Sequence, residues 1–289
     1  PSTKVAGYSV INSQDKAKLM QLKERILQAG ICSLDYESNS DPDQTQDPQD
    51  TEVVGASVAY RIGEAFYLPM GHTTYEHNWD RTWLFTNFLK PILEHPDVLI
   101  LAHNMIVEHM WSILNGVDMY PKTKTHKVLD TMMMVKACAL PETVDDIGKV
   151  RMGLKPATKA LLADCNGMVH GLLHIDQIKS FKETVGRVAE VVPDPSGAVY
   201  KTNSKFGKKG DPKMIRRVRT RRFDELPIDS ETVAYACSDA DWALGLYYKL
   251  KPICDQEKLT KLVFFNTKRM MLLGEYQLAG WQADPTKIE

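Results

Sequence analysis

Two acidic side chains stand two residues apart in an apolar segment near the N-terminus. The segment Leu34-Asp35-Tyr36-Glu37 has the composition of a β-strand, and residues i and i+2 of a strand point to the same face. Asp35 and Glu37 would therefore present two carboxylates side by side, which is unfavourable in an apolar setting unless a cation compensates them. Hard divalent ions such as Mg²⁺ bind carboxylate oxygens of this kind. Taken alone, the pair is explained more simply by an edge strand with one solvated face.

Two further segments carry polar groups at the ends or starts of predicted elements. His103-Asn104 follows an apolar strand, and Glu108 lies one helical turn further on, where capping and the helix dipole alone would explain these residues. Tyr235 and Asp239 are four residues apart on a long predicted helix and share one face. Because the apolar side of that helix must pack on the sheet, Asp239 would be carried toward the first strand. Together, four carboxylates and a tyrosine could converge on a two-metal phosphoryl-transfer site.

Hydrophobic periodicity predicts the elements that must hold these residues. The order is strand, hairpin, helix, strand, helix and then mostly helices. This order predicts an α/β domain in which a mixed sheet, opened by antiparallel strands, is covered by helices. The sequence has no Gly-rich phosphate loop, which argues against a nucleotide-binding NTPase or a dinucleotide enzyme. The clearest strands are expected at 31–38, 53–62, 65–68 and 98–102, and the two C-terminal helices at about 230–250 and 256–278.

Length and composition bound the class of protein. The 289 residues are enough for one large domain or two small ones. With 43% hydrophobic and 25% charged residues, the composition is that of a globular protein and not of a disordered, collagen-like or disulfide-rich chain. No apolar stretch approaches the ~18 residues of a membrane span. The five scattered cysteines predict reduced thiols in a cytoplasm-like compartment.

The formal net charge of -1 conceals a strong asymmetry. Residues 201–222 hold ten basic residues and one acid, Asp211, whereas residues 31–60 hold seven acids and neither Lys nor Arg. An acidic region and a basic segment together suggest a metal site and a contact with a phosphate backbone. A solvated charged loop is the equal alternative. The Pro and Gly residues of this region predict that 186–227 is irregular.

The order Leu-Asp-x-Glu, His-Asn-x-x-x-acid and Tyr-x-x-x-Asp resembles the three exonuclease motifs of the DEDD superfamily, in its Tyr-containing branch. The flanks are similar to the 3′–5′ proofreading exonuclease domain of family A (DNA polymerase I-like) DNA polymerases. The resemblance implies a ribonuclease H-like fold with a mixed five-stranded sheet. It also implies an exonuclease domain over 1–252, and a helical connector over 253–289 that opens a polymerase domain absent from this chain. The segments that carry the similarity are 53–59, 63–69 with His72, 129–132, 235–241 and the tail 271–284.

The resemblance implies a role for each predicted catalytic residue and two divalent ions, Mg²⁺ or Mn²⁺. Asp35, Glu37 and Asp239 would hold one ion, which lowers the pKa of a bound water. Asp35 would also touch the second ion, and Glu108 would act on the water shell of that ion. Tyr235 would orient the attacking water. The implied activity is the removal of nucleoside monophosphates, one at a time, from DNA 3′ ends.

Nucleic acid is expected to contact two regions. Near the metal ligands, Asn104 would contact the terminal nucleotide, and His103 is a second candidate, although a structural role explains His103 more simply. The stretch 186–227 is longer and more basic than the family pattern, and we hypothesise that it holds a single strand or a duplex backbone. Contact with the polymerase domain is the alternative. The basic residues in question are Lys208, Lys209, Arg216, Arg217, Arg219, Arg221 and Arg222.

The second motif departs from the family pattern. It has the sequence Ile106-Val107-Glu108, where the family usually has an aromatic residue followed by Asp. Two other functions therefore stay open: a catalytically degenerate DNA-binding or scaffold domain of such a polymerase, and an RNase D-like ribonuclease. The expected partners are a single-stranded or frayed DNA 3′ end and the polymerase domain, with no membrane. The expected location is the cytoplasm of a bacterial cell or of a virus-infected host cell.

Overall fold

A six-stranded mixed sheet forms the centre of the molecule. The computed structural model describes residues 5, 7–41, 48–202 and 208–280. The strands stand in the order β1-β4-β3-β2-β5-β6, and they are β1 (Tyr8–Val10), β2 (Ile31–Ser38), β3 (Val53–Arg61), β4 (Glu64–Pro69), β5 (Leu99–Ala102) and β6 (Val128–Asp130). The β2–β3 and β3–β4 pairs are antiparallel, and the other three pairs are parallel.

Helices cover both faces of this sheet. Helix α8 lies across one face, in contact with β1 to β5, and α1 packs with the helical segment 81–93 on the opposite face. A π-helical turn, Phe85–Leu89, joins the two halves of that segment. The helices are α1 (Lys16–Ala29), α2 (Arg81–Leu84), α3 (Lys90–Leu93), α4 (Met105–Leu114), α5 (Thr131–Cys138), α6 (Leu154–Leu161), α7 (Phe181–Val185), α8 (Ser230–Gln256) and α9 (Thr260–Ala279).

The side chains of β2 alternate between the two helix layers. Leu34 and Tyr36 are buried in the apolar cluster beneath α1. Asp35 and Glu37 alternate with them and so point to the face that α8 covers. The two carboxylates therefore lie inside the molecule, and the solvated edge strand offered as the simpler explanation is wrong, because β2 has β3 on one side and β5 on the other.

This architecture confirms the predicted α/β class with a mixed sheet. The sheet has one strand more than the five expected, because β1 adds in parallel to β4, with Tyr8 beside Ala65. A strand of three residues is too short to show an alternating pattern in a sequence. Helix α8 continues past its predicted end near residue 250 to Gln256 and includes Pro252.

The basic stretch that was predicted to be irregular contains a regular hairpin. A small two-stranded sheet, β7 (Met168–Val169) and β8 (Leu173–His174), precedes it. The longer hairpin consists of β9 (Arg187–Pro193) and β10 (Met214–Thr220), which pair in antiparallel register. Of the Pro and Gly residues that suggested irregular structure, the described ones lie at the end of β9 or in the connection between the strands, and Gly207 lies outside the described residues.

The C-terminal part of the described chain is α9, which contacts α4 and α5. Residues 281–289 of the predicted connector lie outside the described residues, and the division of the chain at 252 stays a prediction. Among the helices in the described ranges, none combines the length and the apolar composition needed to cross a membrane.

Candidate active site

The predicted catalytic residues meet in one open cleft beside β2. The cleft has a volume of about 380 Å³. Its walls come from β2 and the residues that follow it, from the start of α4, and from α7 and α8. The strand order explains the convergence, since β5 is the parallel neighbour of β2 and the chain enters α4 directly after β5. The lining includes Asp35, Glu37, His103, Asn104, Glu108, Tyr235 and Asp239.

Glu108 reaches from α4 to the backbone of β2. Its Oε2 atom accepts a hydrogen bond of 3.0 Å from the N–H of Tyr36, and the residue is only 4% exposed. This bond fixes the carboxylate of Glu108 against the strand that carries Asp35.

Asn104 does not cap α4 with its side chain, contrary to the expectation from sequence. The backbone N–H groups of Asn104 and Met105 donate instead to the carboxylate of Asp130, at 3.0 and 3.1 Å. Asn104 has a left-handed backbone conformation, with φ 82°, which Asn tolerates better than most residues. The carboxylate of Asp130 thus accepts the hydrogen bonds of the N–H groups at the start of α4. The side chain of Asn104 is not needed for this, and it lines the cleft.

His103 is held by protein groups at both ring nitrogens. Nδ1 lies 3.0 Å from the Thr131 hydroxyl, and Nε2 lies 2.7 Å from the Met152 carbonyl. Burial lowers the pKa of His103 to about 4, so the ring is neutral near pH 7. Although the ring borders the cleft, these bonds leave no ring nitrogen for a nucleotide, and they favour the structural role over nucleic-acid binding.

Helix α8 supplies Tyr235 and Asp239 from one face. The ring of Tyr235 packs against Phe181 and Phe223, with centroid distances of 6.1 and 6.0 Å. Burial, followed by the nearby Asp239, raises the pKa of Tyr235 well above its ordinary value. The hydroxyl is therefore protonated at neutral pH and can donate a hydrogen bond into the cleft.

Lys155 is a residue of this site that sequence reasoning missed. Its Nζ atom donates to both carboxylate oxygens of Asp239, at 3.2 and 3.0 Å, and lies 4.2 Å from the ring centroid of Tyr235. Lys155 stands in the first turn of α6, 84 residues before its partner. No local sequence pattern reports a contact of that separation, so only the fold reveals it.

Burial raises the pKa values of all four carboxyl groups, and repulsion from neighbouring acids adds to the rise for Asp35, Glu37 and Glu108. Burial is the largest cause for each of them. Asp239 adds to the rise for Asp35, and Asp35 adds to the rise for Glu37 and Glu108. The charge of Lys155 acts in the opposite direction on Asp35, Glu37 and Asp239. The cleft is thus a region of excess negative charge that a cation would stabilise.

The donor set fits a hard divalent ion, because all four acids offer carboxylate oxygens. Within the part of the chain that the structure describes, however, no three of these carboxylates place ligand atoms within 4.8 Å of one another. The one described set that does is His109, Asp118 and Glu275, which does not border the cleft. Ion binding between Asp35, Glu37 and Asp239 therefore requires the acidic side chains to draw together.

We expect the acidic cleft to make the metal-free protein less stable as the pH rises. A carboxyl group with a raised pKa binds its proton more tightly when folded, so its favourable contribution is complete below about pH 4 and is lost as the pH rises through the folded pKa. Asp35→Asn removes one such group and should flatten the decline. Urea unfolding of both proteins in EDTA, from about pH 5 to about pH 8, measures the pH dependence of the free energy of unfolding. Parallel curves for the two proteins would contradict the expectation.

Mg²⁺ at about 100 times its Kd should raise the free energy of unfolding of the wild type by about 2.7 kcal/mol near neutral pH.

The basic residues of the hairpin divide into two groups. Arg219 is engaged by carboxylates: it donates to Glu190 at 2.8 Å and to both oxygens of Glu225 at 2.8 and 2.6 Å. Arg222 likewise donates to Asp224, at 3.0 and 2.9 Å. Arg219 ties the hairpin to the turn before α8, whereas Arg222 lies after β10 and pairs within that turn. Both sets of contacts argue against the predicted role of these two residues at a phosphate backbone.

The remaining basic residues stay candidates for that role. Lys208, Lys209, Arg216 and Arg217 are exposed, and Arg221 is partly exposed. The first two lie in the connection between the strands, the next two on β10, and Arg221 directly after β10. Binding of a nucleic-acid backbone by the hairpin therefore stays a prediction for these five.

Replacing Arg216 and Arg217 together by Ala is expected to weaken binding of single-stranded nucleic acid about equally for all sequences. The magnitude of the slope of log K against log salt should fall by about 1.4, because two phosphate contacts are lost and each contributes about 0.7 on a single strand. Fluorescence anisotropy at several salt concentrations measures both quantities. Lys18→Ala with Arg25→Ala, two exposed cations of α1 on the opposite face of the sheet, is the matched control. Equal slopes for the two double variants would show that the hairpin does not hold the backbone.

Comparisons with known proteins place the fold. No protein-family model matches the sequence, and no curated protein sequence matches it. Among solved structures, Trypanosoma brucei RNase D in complex with GMP matches with a TM-score of 0.54 and 15% identity, over 98% of this chain and 69% of that one. Brucella melitensis NrnC with bound Mg²⁺ matches with a TM-score of 0.52 and 13% identity, over 90% and 91% of the two chains. NrnC bound to pGG matches with a TM-score of 0.51 and 13% identity, over the same shares.

These similarities establish the fold, which is the ribonuclease H-like exonuclease fold of the matched structures. They confirm the predicted fold class. They give no support to a polymerase proofreading domain in particular, since the matched proteins named above are an RNase D and NrnC.

Proposed function

We propose that this protein is a metal-dependent 3′–5′ exonuclease that releases nucleoside monophosphates from a nucleic-acid 3′ end. The observation that carries the proposal is the meeting of Asp35, Glu37, Glu108, Tyr235 and Asp239 in a single cleft. They reach it from three separate elements, β2, α4 and α8. The fold in which they meet is the one that RNase D and NrnC also have.

Each of the five residues has a task that its position supports. Asp35, Glu37 and Asp239 are the carboxylates that would hold a divalent cation, and Glu108, fixed by the N–H of Tyr36, would hold the water shell of a second. When bound, such ions supply a water of lowered pKa and stabilise charge on the leaving oxygen. Tyr235 holds its proton and directs a hydrogen bond toward the attacking water.

The comparisons favour a substrate like those of RNase D and NrnC over a proofreading substrate. One matched structure holds GMP, which is a nucleoside monophosphate. Another holds pGG, and a third holds Mg²⁺. The RNase D-like alternative considered from the sequence is therefore the better supported proposal for the substrate, with an RNA 3′ end as the favoured choice.

A proofreading role in a family A DNA polymerase is the second candidate. It is favoured by the segments 53–59, 63–69 and 129–132 and by the tail 271–284. It also agrees with the apolar side chains that α9 exposes, among them Phe265 and Tyr276, which would suit contact with a following domain. The polymerase domain itself is a proposal that rests on the sequence resemblance alone.

Four matched substrates separate the two candidates. They are single-stranded RNA, single-stranded DNA of the same sequence, and that DNA as a template-bound primer with either a mismatched or a paired 3′ nucleotide, each incubated with the protein and Mg²⁺. An RNase D-like enzyme releases mononucleotides fastest from RNA. A proofreading domain prefers DNA and removes the mismatched nucleotide faster than a paired one. Release of no mononucleotide from any substrate, with nucleic-acid binding retained, would support the degenerate binding domain instead.

A further inference from the structure

We propose that Lys155 is a built-in counter-ion of the cleft, which holds Asp239 and Tyr235 in place until a divalent cation displaces its ammonium from Asp239. This inference deepens the proposed function and rests on it, because it concerns the carboxylates assigned there to the metal. Lys155 would then be a positioning residue that acts through Asp239 and Tyr235.

Lys155 contacts both residues of the third motif, Tyr235 and Asp239. The Nζ atom lies 3.2 and 3.0 Å from the two oxygens of Asp239, so it engages the whole carboxylate. The same atom lies 4.2 Å from the ring centroid of Tyr235, within the range of a cation–π contact. The side chains of Lys155 and Asp239 are 21% and 11% exposed, so solvent screens the pair less than it screens a surface ion pair.

The ammonium partly offsets the negative charge of the cleft. Its positive charge beside Asp239 reduces the repulsion between the acids, and it acts on Asp35 and Glu37 as well. No three carboxylates of the cleft come within 4.8 Å of one another in the described chain. Lys155 thus satisfies Asp239 without drawing Asp35 and Glu37 into a ligand set.

A divalent cation and the ammonium compete for the same carboxylate. Both oxygens of Asp239 face Nζ, and two positive charges that share one carboxylate repel each other strongly in a buried setting. Lysine carries its charge on a flexible four-carbon chain, so Lys155 can leave without movement of α6. A neighbouring cavity of about 520 Å³ offers room for the ammonium on that side, and its lining includes Glu142 and Glu183 as well as Arg151 and Lys159.

The chain offers a matched control on the same helix. Lys159 lies one turn after Lys155 on α6, is exposed, and lines the same neighbouring cavity, whereas Lys155 is the one of the two that bonds Asp239. Lys159→Met removes the same charge from the same helix without touching Asp239. Lys155→Arg keeps the positive charge but changes the shape of the side chain. It therefore tests whether an effect of Lys155→Met comes from the lost charge or from the changed shape.

The test is a titration of the protein with Mn²⁺ alone, with free Mn²⁺ read by electron paramagnetic resonance and no nucleic acid present. Lys155→Met should bind Mn²⁺ at least about tenfold more tightly than the wild type near neutral pH, because a competing charge is removed. Lys159→Met and Lys155→Arg should stay within about threefold of the wild type, since each keeps the charge at Asp239. Thermal unfolding of every variant confirms that it is folded.

The outcomes separate this inference from the proposed function. Unchanged or weaker Mn²⁺ binding by folded Lys155→Met would overturn the competition, provided that the wild type binds Mn²⁺ and Asp239→Asn does not. Equal tightening by Lys159→Met would also overturn it, because the effect would then be one of net charge. Failure of the wild type to bind Mn²⁺, or full binding by Asp239→Asn, would overturn the metal site of the proposed function itself.

Discussion

Replacing Asp35 by Asn is expected to lower the rate of mononucleotide release by about 10³-fold or more. A catalytic metal ion is worth several kcal/mol in the transition state, and each 1.36 kcal/mol is a factor of ten in rate. The substitution keeps the shape of the side chain and removes one of the charges that raise the pKa values of Glu37 and Glu108. The folded state should therefore be kept, and only the chemistry should be lost.

The rate is measured under single-turnover conditions with saturating protein, and unfolding is followed in parallel. Asp50→Asn is the matched control, since it makes the same change at an exposed position just before β3. It should keep the rate of the wild type within about twofold, as expected for a surface substitution. A folded Asp35→Asn variant with a rate close to that of the wild type would show that Asp35 holds no catalytic ion.

Replacing Gly55 by Ala is expected to cost about 3 kcal/mol or more of stability. Gly55 stands opposite Glu37 in the β2–β3 pair. A Cβ atom added there would lie 1.8 Å from the hydroxyl oxygen of Tyr67 and 2.3 Å from the ring carbon that bears it. Tyr67 is fully buried. Its hydroxyl oxygen lies 2.6 Å from His72 Nε2. The ring also packs against His72 and Phe223, so it cannot shift without disturbing them, and we expect overpacking of this severity to exceed the usual range of about 1–3 kcal/mol.

Urea unfolding of Gly55→Ala gives this cost directly. Gly153→Ala serves as the control, because the nearest atom to its added Cβ lies at an ordinary 3.5 Å, and it should cost less than about 1 kcal/mol. The strand that carries Asp35 and Glu37 pairs with β3 at Gly55, so mononucleotide release should fall as well. A Gly55→Ala protein of wild-type stability would mean that β3 and Tyr67 do not pack as described.

The parts of the site that depend on local sequence could be predicted. The alternation of Asp35 and Glu37 with Leu34 and Tyr36 is a property of any strand. The four-residue spacing of Tyr235 and Asp239 is likewise a property of any helix. These patterns place Asp35 and Glu37 on one strand face and carry Asp239 toward that strand, whereas the convergence of Glu108 on them was inferred from the set of motifs.

The parts that depend on long-range contacts could not. Lys155 pairs with a residue 84 positions away, and Asp130 caps a helix that begins 25 positions before it. Arg219 looks like one more member of a basic run until Glu190 and Glu225 are seen beside it. In each case the partner is chosen by the packing of separate elements, which periodicity and composition do not report.

The hairpin β9–β10 was missed for a different reason. Three of the seven residues of β10 are arginines, and no residue of β9 is buried. The hairpin therefore lacks the buried face that marks a strand in a sequence. Their Pro and Gly neighbours then favoured an irregular loop. Pairing of the backbone, which any sequence without internal Pro can achieve, decides the structure of this segment.

Degradation of one oligonucleotide labelled at either end tests the central claim most directly. With Mg²⁺, a 5′ label should appear in a ladder of products that shorten one nucleotide at a time, and a 3′ label should appear at once in a mononucleotide. EDTA should stop both reactions, and added Mg²⁺ should restore them. Early release of a 5′-labelled mononucleotide, cleavage inside the strand, or equal activity in EDTA would contradict a metal-dependent exonuclease that works from the 3′ end.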